Sequence, residues 1–474
     1  MTLKPTRLQR WGPSLAAAAV IAWMWSLPLL GVLRDASPAV AEAGSGFGLA
    51  FLLGNALGFL ILTRDRPAGI VLRYAFLGPL LNLLLMVMLL DLPGIPTIQY
   101  AISVQIISFV MGLAVSPLLL EWISTLRDGD PGNRGKTAGG VMLFASILYA
   151  GILATAQVST MPAFWLSAAL LLAAAMLISP GRKRDFERNT ERRGADIKSP
   201  RHPLYFWVAF AALLLAFYSL SWIAHTLVFP TTRIDAPGMA ILGALVYGAI
   251  AMVAGIYSDV TGSAEEIAMM GLAALFGVYV IAASGAEVWS LVNLLMEGSY
   301  GAIDLFVFAY LAAWAGLLKN LPRRTLALGL AINGAVVASG YILAPLLAPS
   351  PASLSSLPAA VAVAMALVAG NVAVIFLRRH REETLGQVLR RMPKREVVDP
   401  ASRVENITPR ETEVLTLILR GHGNESIARE LGITKNTLKT HIRNLYAKAQ
   451  VSNRSELILK INPPRVPSGN QLRR

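Results

Sequence analysis

The sequence predicts an all-α protein: a bundle of twelve transmembrane helices in two halves of six, followed by a small cytoplasmic domain of four helices. Three observations predict it. Of 474 residues, 55% are hydrophobic and only 15% charged, where a soluble chain carries about 25% charged residues. Apolar runs of about 20 residues, the length that crosses a bilayer, recur twelve times. Positive charge is concentrated behind them: residues 378–474 hold 20 Lys and Arg against 10 Asp and Glu, and the first 377 residues hold 22 against 18. There is no Cys, which excludes disulfides, thiolate metal sites and Cys nucleophiles.

The expected spans lie at about 14–33, 46–63, 69–90, 98–120, 137–156, 162–179, 204–228, 238–257, 266–284, 299–318, 325–347 and 356–377. The first follows Lys4, Arg7 and Arg10 as a signal peptide would, but the many later runs make it a retained span. Ahead of the tenth, "LVNLLMEG" reads as a short interfacial helix of its own. Loop charges orient the bundle, because cytoplasmic loops are enriched in Lys and Arg. Even-numbered loops carry Arg64 and Arg66, then Arg127, Arg134 and Lys136. The sixth holds eight basic residues, and the tenth holds Lys319, Arg323 and Arg324. The odd loops hold only Arg34 and Arg233, and the eighth loop, with Asp259, Glu265 and Glu266, is the exception to the trend. Both termini are therefore expected in the cytoplasm.

The twelve spans divide around the long basic sixth loop. The loops after spans two and eight each place an Asp (Asp65, Asp259) a few residues before a Gly (Gly69, Gly262). This layout over residues 10–378 resembles the major facilitator superfamily, which carries an acidic, Gly-containing loop at those two places. The fuller family loop has several basic residues after its Gly. Here the first half offers only Arg73 and the second none.

Ionisable residues inside spans are costly and mark function by default. Asp304 is the best buried candidate for ligand binding; otherwise it faces headgroups at the foot of its span. Asn55, Asn82, Asn333 and Asn371 are further candidates for lining a polar cavity, although such amides more often join helix to helix. His225 and Glu121 read as interfacial. Gly54 and Gly58 form a small face suited to close packing. Six of the tryptophans (Trp23, Trp25, Trp207, Trp222, Trp289 and Trp314) suit interfacial belts or an aromatic cavity. With one credible carboxylate and no convincing buried base, the bundle reads as a sensor of an unknown small molecule rather than an ion-coupled pump. The alternative is a working transporter with an autoregulatory tail. No motif for enzymatic catalysis, a metal or a cofactor is present.

Residues 378–406 form a basic linker with seven Lys and Arg in its first eighteen positions. A helix from Glu382 to Met392 is expected, stopped by Pro393. Fully extended, the linker reaches about 100 Å, so any DNA must come close to the bilayer.

Residues 407–460 make the last domain, and 461–474 a flexible tail. Thr408, Pro409 and Glu411 are a capping box with proline at the first helical position. Val414, Leu415, Leu417 and Ile418 supply one apolar face, and Gly421 ends the helix. A second helix spans about 424–431, and Gly432 permits the tight turn after it. Thr434 caps a third helix, in which Leu438, Ile442 and Leu445 recur at i, i+4, i+7. A fourth helix is expected at about 452–459.

The outward side of the third helix carries Lys435, Asn436, Lys439, Thr440, Arg443 and Asn444. A basic, hydrogen-bonding helix face behind a short helix and a Gly turn is the helix-turn-helix design for the DNA major groove.

These residues are similar to the LuxR-type helix-turn-helix domain. The matches are Thr408, Arg410, Glu411, Glu413, Val414 and Leu415; Gly421, Asn424, Ile427 and Ala428; Thr437, Lys439, His441 and Lys448; and Val451, Arg454, Glu456 and Leu457. Ile407, Glu425, Leu438 and Ala449-Gln450 depart from the usual pattern, and Glu425 would repel phosphate if it faced DNA. The resemblance implies that Thr437, Lys439 and His441 lie on the recognition helix, with Lys448 adding to a basic DNA-binding surface. It also implies that the last helix pairs two copies on double-stranded DNA. Glu411 and Arg454 are expected to hold the fold together. The combination resembles bacterial cell-membrane regulators that join a transporter-like sensor directly to a LuxR-type reader.

Overall fold

The computed structural model describes residues 7–26, 46–63, 80–81, 84, 97–177, 204–228, 237–283, 289–317, 322–347, 357–391, 404, 406–419, 424–451 and 454–461. Every regular element among them is helical. The bundle comprises α1 (Arg7–Met24), α2 (Gly46–Leu62), α3 (Thr97–Asp128), α4 (Arg134–Val158), α5 (Thr160–Leu177) and α6 (Leu204–Val228). It continues with α7 (Pro237–Thr261), α8 (Ala264–Ala283), α9 (Trp289–Leu317), α10 (Pro322–Leu347) and α11 (Leu357–Arg391). The last domain contains α12 (Pro409–Leu419), α13 (Asn424–Glu430), α14 (Lys435–Lys448) and α15 (Arg454–Ile461).

Eight helices among the described residues are long and apolar enough to cross a membrane, with shorter apolar helices at Trp11–Met24 and Gly46–Leu62. Large apolar side chains such as Ile106, Val253, Met365 and Ile375 stand exposed on the bundle. A soluble surface seldom carries so many; hydrocarbon is the solvent that suits them. The expected third span, with Asn82, Pro79 and Arg73, lies outside the described residues but for Leu80, Leu81 and Leu84. Asp65 and Gly69 lie outside them as well.

Glycines set the closest helix contacts. A Cβ on Gly54 would strike the Phe109 carbonyl, and one on Gly112 the Phe51 carbonyl, so α2 and α3 meet backbone to backbone. Gly135 and Gly255 do the same for α4 and α7. There the Asp259 carboxylate, at the end of α7, accepts hydrogen bonds of 2.7 Å each from the backbone N–H groups of Gly135 and Lys136. An anionic side chain thus caps the positive end of α4. The bond joins α4 to α7 through Asp259.

Two expectations need correction. The segment "LVNLLMEG" is no separate interfacial helix: α9 runs unbroken from Trp289 to Leu317. Neither Gly298 nor Gly301 interrupts it, because Gly301 lets α9 approach the Tyr247 carbonyl of α7, and tertiary packing outweighs the weak helix propensity of glycine. The last span and the helix expected from Glu382 belong to one element. Helix α11 continues through the basic stretch to Arg391, with Pro393 two residues beyond. At 1.5 Å per helical residue, this shortens the linker's greatest reach from about 100 Å to about 70 Å.

The last domain has its own apolar core. Val414, Leu415, Ile418, Ile427, Leu438, Leu445 and Leu457 are almost wholly buried, joined by Val404 and Ile461. The third helix occupies Lys435–Lys448, with Leu438, Ile442 and Leu445 as its buried face. The fourth helix is described over Arg454–Ile461, and its expected start at Ser452 lies outside the described residues; Gln450 takes a left-handed φ of 49° in the preceding turn. That turn is where Ala449-Gln450 departs from the family pattern. Gly421 lies outside the described residues.

Candidate ligand cleft and nucleic-acid interface

The unbroken α9 draws four polar residues into one stripe. Asn293, Glu297, Tyr300 and Asp304 follow at i, i+4, i+7 and i+11, the spacing of a single helix face. Asp304 is held by two phenols: Tyr247 donates to Oδ2 at 2.6 Å and Tyr218 to Oδ1 at 3.2 Å. Tyr300 bonds to the Ser221 hydroxyl of α6. Glu297 lies against Gly243 of α7, where a Cβ would come within 3.1 Å of its Cγ. Tyr149 and Tyr247 sit near enough to feel the Glu297 charge.

Aromatic rings close this region. Trp25, at the end of α1, meets Tyr247 at 4.7 Å between centroids and Tyr149 at 5.8 Å, both at steep angles. Tyr149 and Tyr247 are buried. Trp25, Glu297, Tyr300 and Asp304 are half-buried although they lie inside the bundle. Side chains enclosed by protein that still keep accessible surface imply internal space, here among α1, α4, α7 and α9.

The amide candidates do not gather there. Asn55 is 4% exposed and donates to the Gly112 carbonyl and the Ser116 hydroxyl, joining α2 to α3. Asn371 donates to the Leu367 carbonyl of its own helix. The Asn333 side-chain oxygen is buried without a hydrogen-bond partner among the described residues. Glu297 is the residue that sequence reasoning missed. Its signal was the four-residue polar stripe, hidden once "LVNLLMEG" was cut from the span.

At the opposite end of α9, the start of the linker is pinned to the bundle. The His380 ring stacks on Trp314 at 5.1 Å with 9° between planes, and its Nδ1 lies 3.2 Å from the Tyr205 hydroxyl. Arg381 pairs with buried Glu265 at 2.9 Å and donates to the Gly262 carbonyl at 2.6 Å. The turn between α7 and α8 therefore touches both α4, through Asp259, and the helix that leads to the last domain.

In that domain the capping box forms in both directions. The Thr408 N–H donates to Glu411 at 2.9 Å, and the Glu411 N–H donates to the Thr408 hydroxyl at 3.3 Å. Lys448 donates to the same carboxylate at 2.7 Å. Burial alone would raise the Glu411 carboxyl; the Lys448 ammonium and the Thr408 bonds outweigh it and hold it below the ordinary glutamate value. Arg454 donates to the Ile418 carbonyl at 3.2 Å, tying α15 to the end of α12. Both residues thus carry structural bonds.

Thr434 caps α14, its hydroxyl accepting from the Thr437 N–H. The side chains of Lys435, Asn436, Thr437, Lys439, Thr440, Arg443 and Asn444 are exposed, and that of His441 is half-buried. The Thr437 hydroxyl contacts Thr434, and the Thr440 hydroxyl donates to the Asn436 carbonyl. Lys448 stands apart from this set, its ammonium already committed to Glu411. What remains is a convex, basic, hydrogen-bonding helix face.

Residues 405–461 match the family described as bacterial regulatory proteins, luxR family. Over 57 residues the chain is 51% identical to the HTH-type transcriptional regulator MalT of Vibrio campbellii, covering 12% of this chain and 6% of that protein. It is 48% identical over 56 residues to MalT of Yersinia pestis, again 12% and 6%. The chain thus spans only a small part of these relatives' length.

The membrane region is similar to a bacterial homologue of the iron transporter ferroportin in an outward-facing state. The TM-score is 0.51 and identity 14%, covering 79% of this chain and 99% of the other. The same homologue with soaked iron gives 0.52 and 15%, covering 80% and 99%. At such identity the likeness is one of fold.

The chain therefore joins an apolar, multi-helix domain, similar in fold to that transporter homologue, to a C-terminal LuxR-type helix-turn-helix domain. No group of three His, Asp or Glu side chains placed to hold a metal ion occurs among the described residues.

Proposed function

We propose that the protein is a membrane transporter with a DNA-binding tail that acts on its own gene. One observation carries the transport half: two carboxylates, Glu297 and Asp304, lie on one face of α9 inside the bundle, beside the internal space among α1, α4, α7 and α9. A bundle with one candidate carboxylate reads as a passive sensor; two in a cleft supply the charge that solute binding and coupling use. The bundle has twelve spans in two sixes, with both termini in the cytoplasm. The exposed face of α14 enters the major groove. Lys435, Lys439 and Arg443 meet phosphate or guanine, Asn436, Asn444, Thr437, Thr440 and His441 complete the contacts, and α15 pairs two copies. Lys448 serves the fold first and DNA only at the margin.

A second reading is favoured by the continuous α11 and its hold on the bundle at His380 and Arg381. In this reading the bundle senses its solute, and movement of the α7–α8 turn passes through α11 to the reader. The readings separate in proteoliposomes containing the full chain. Solute counterflow that is lost in Asp304→Asn supports transport. Absence of flux, with solute-dependent promoter binding that Arg381→Ala uncouples, supports sensing.

A further inference from the structure

We propose that the cleft on α9 is a binding site for a lipophilic organic cation, with Glu297 as its counter-ion and Trp25, Tyr149 and Tyr247 as its aromatic walls. This assignment rests on the reading of the bundle as a solute-binding domain and names the class of solute.

Charge sets the sign of the ligand. Asp304 is already stabilised by two phenol hydrogen bonds. Glu297 has none: it lies deep in the bundle, and among the described residues no hydrogen-bond donor or basic side chain offsets its burial. An enclosed carboxylate without a partner is unfavourable while it is charged, and an incoming cation supplies that partner. An anionic solute would meet two carboxylates and no described basic side chain.

The two carboxylates are not arranged as a ready chelate for a single metal ion. Both Asp304 oxygens already accept phenol hydrogen bonds, and Glu297 lies two helical turns, about 10 Å, along the axis from it. No His or Cys joins them, so the donor set is not one that selects a transition metal.

The walls set the character of the ligand. Trp25 crosses Tyr149 and Tyr247 at 63° and 76°, so the rings form sides of a box rather than a stack. Such walls suit a cation with an apolar body, attracted by the ring faces. Gly243 leaves the space beside Glu297 that a side chain would fill.

The test uses full-length protein in detergent and a pair of near-isosteric probes of opposite charge, tetraphenylphosphonium and tetraphenylborate. Saturable binding is measured by equilibrium dialysis, with each variant's folding checked by size exclusion. Tetraphenylphosphonium is expected to bind wild type, and Glu297→Gln to weaken it at least about tenfold, as the loss of a buried charge partner does. Glu297→Asp, which keeps the charge, is expected to retain most of the binding, and Trp25→Leu to weaken it about tenfold.

Tetraphenylborate binding as tight as that of the cation would overturn the assignment. So would tetraphenylphosphonium binding that Glu297→Gln leaves unchanged, or no cation binding at all. Solute counterflow and promoter binding are read separately, so failure here leaves the wider functional reading to its own tests.

Discussion

The bundle and the tail solve opposite problems with their polar groups. In the tail, bonds such as Thr408–Glu411, Lys448–Glu411 and Arg454–Ile418 stay within the domain and fix its shape, while the basic face of α14 stays exposed. In the bundle, apolar side chains face outward, while Glu297, Asp304 and their phenols gather within. A reader of DNA displays its charge to water, where a phosphate or a base edge finds it. A binder of small solutes hides such charge where lipid cannot reach it.

The sharpest way to break this contrast is through the glycine contacts that let the bundle close. Gly135→Leu would drive a side chain into the Gly255 backbone and is expected to cost the α4–α7 contact several kcal/mol. The readout is a collapse of the thermal transition of the purified full chain. The tail should remain intact under this change, with hydrogen-exchange protection of α12–α15 unaltered.

The reverse change is nearly as large. Leu445, fully buried in the tail, should lose about 2–5 kcal/mol on substitution by Ala. Hydrogen exchange in the full chain should then rise throughout α12–α15 and stay constant in α4, α7 and α9.

A third, smaller effect probes the surface of α14. Lys439→Ala is expected to weaken promoter binding and, if the lysine meets phosphate, to flatten the dependence of log K on log salt by about 0.9. If it meets a guanine, the loss should fall on one base position instead. Titrations at several salt concentrations on wild-type and scrambled operators distinguish the two.

The smallest effect is set by pH. Because the Glu411 carboxyl is held below its ordinary value, its contribution to stability is fully present above the unfolded value near 4.3 and fades as pH falls through the folded value. Denaturant midpoints of the tail's hydrogen-exchange protection should fall below about pH 4 in wild type. In Glu411→Gln they should be lower at neutral pH and nearly flat over that range.

Legibility in the sequence followed the same division. The tail was readable to single residues because its signals are local: a cap three residues from its partner, a Gly at a tight turn, a heptad of buried Leu and Ile. The ion pair between Lys448 and Glu411 escaped because it spans 37 positions, and the family resemblance assigned that lysine to DNA. The bundle was readable as spans but not as a site. Hydropathy reports length and apolarity, and the same windows that found α9 trimmed away Asn293 and Glu297 as too polar. Which residues face one another across helices depends on close glycine contacts such as Gly301 with Tyr247, and no local period encodes those. The continuation of α11 past residue 377 was obscured for a related reason: a change from apolar to basic composition marks the membrane surface, not the end of a helix.

The central claim is that a membrane-held protein reads DNA through α14. Footprinting of its own promoter by the full chain in lipid nanodiscs tests this most directly. The account predicts a protected, imperfect palindrome that disappears with Lys439→Glu and persists with Glu297→Gln. Protection that is absent from every sequence, or that survives reversal of charge on α14, would contradict it.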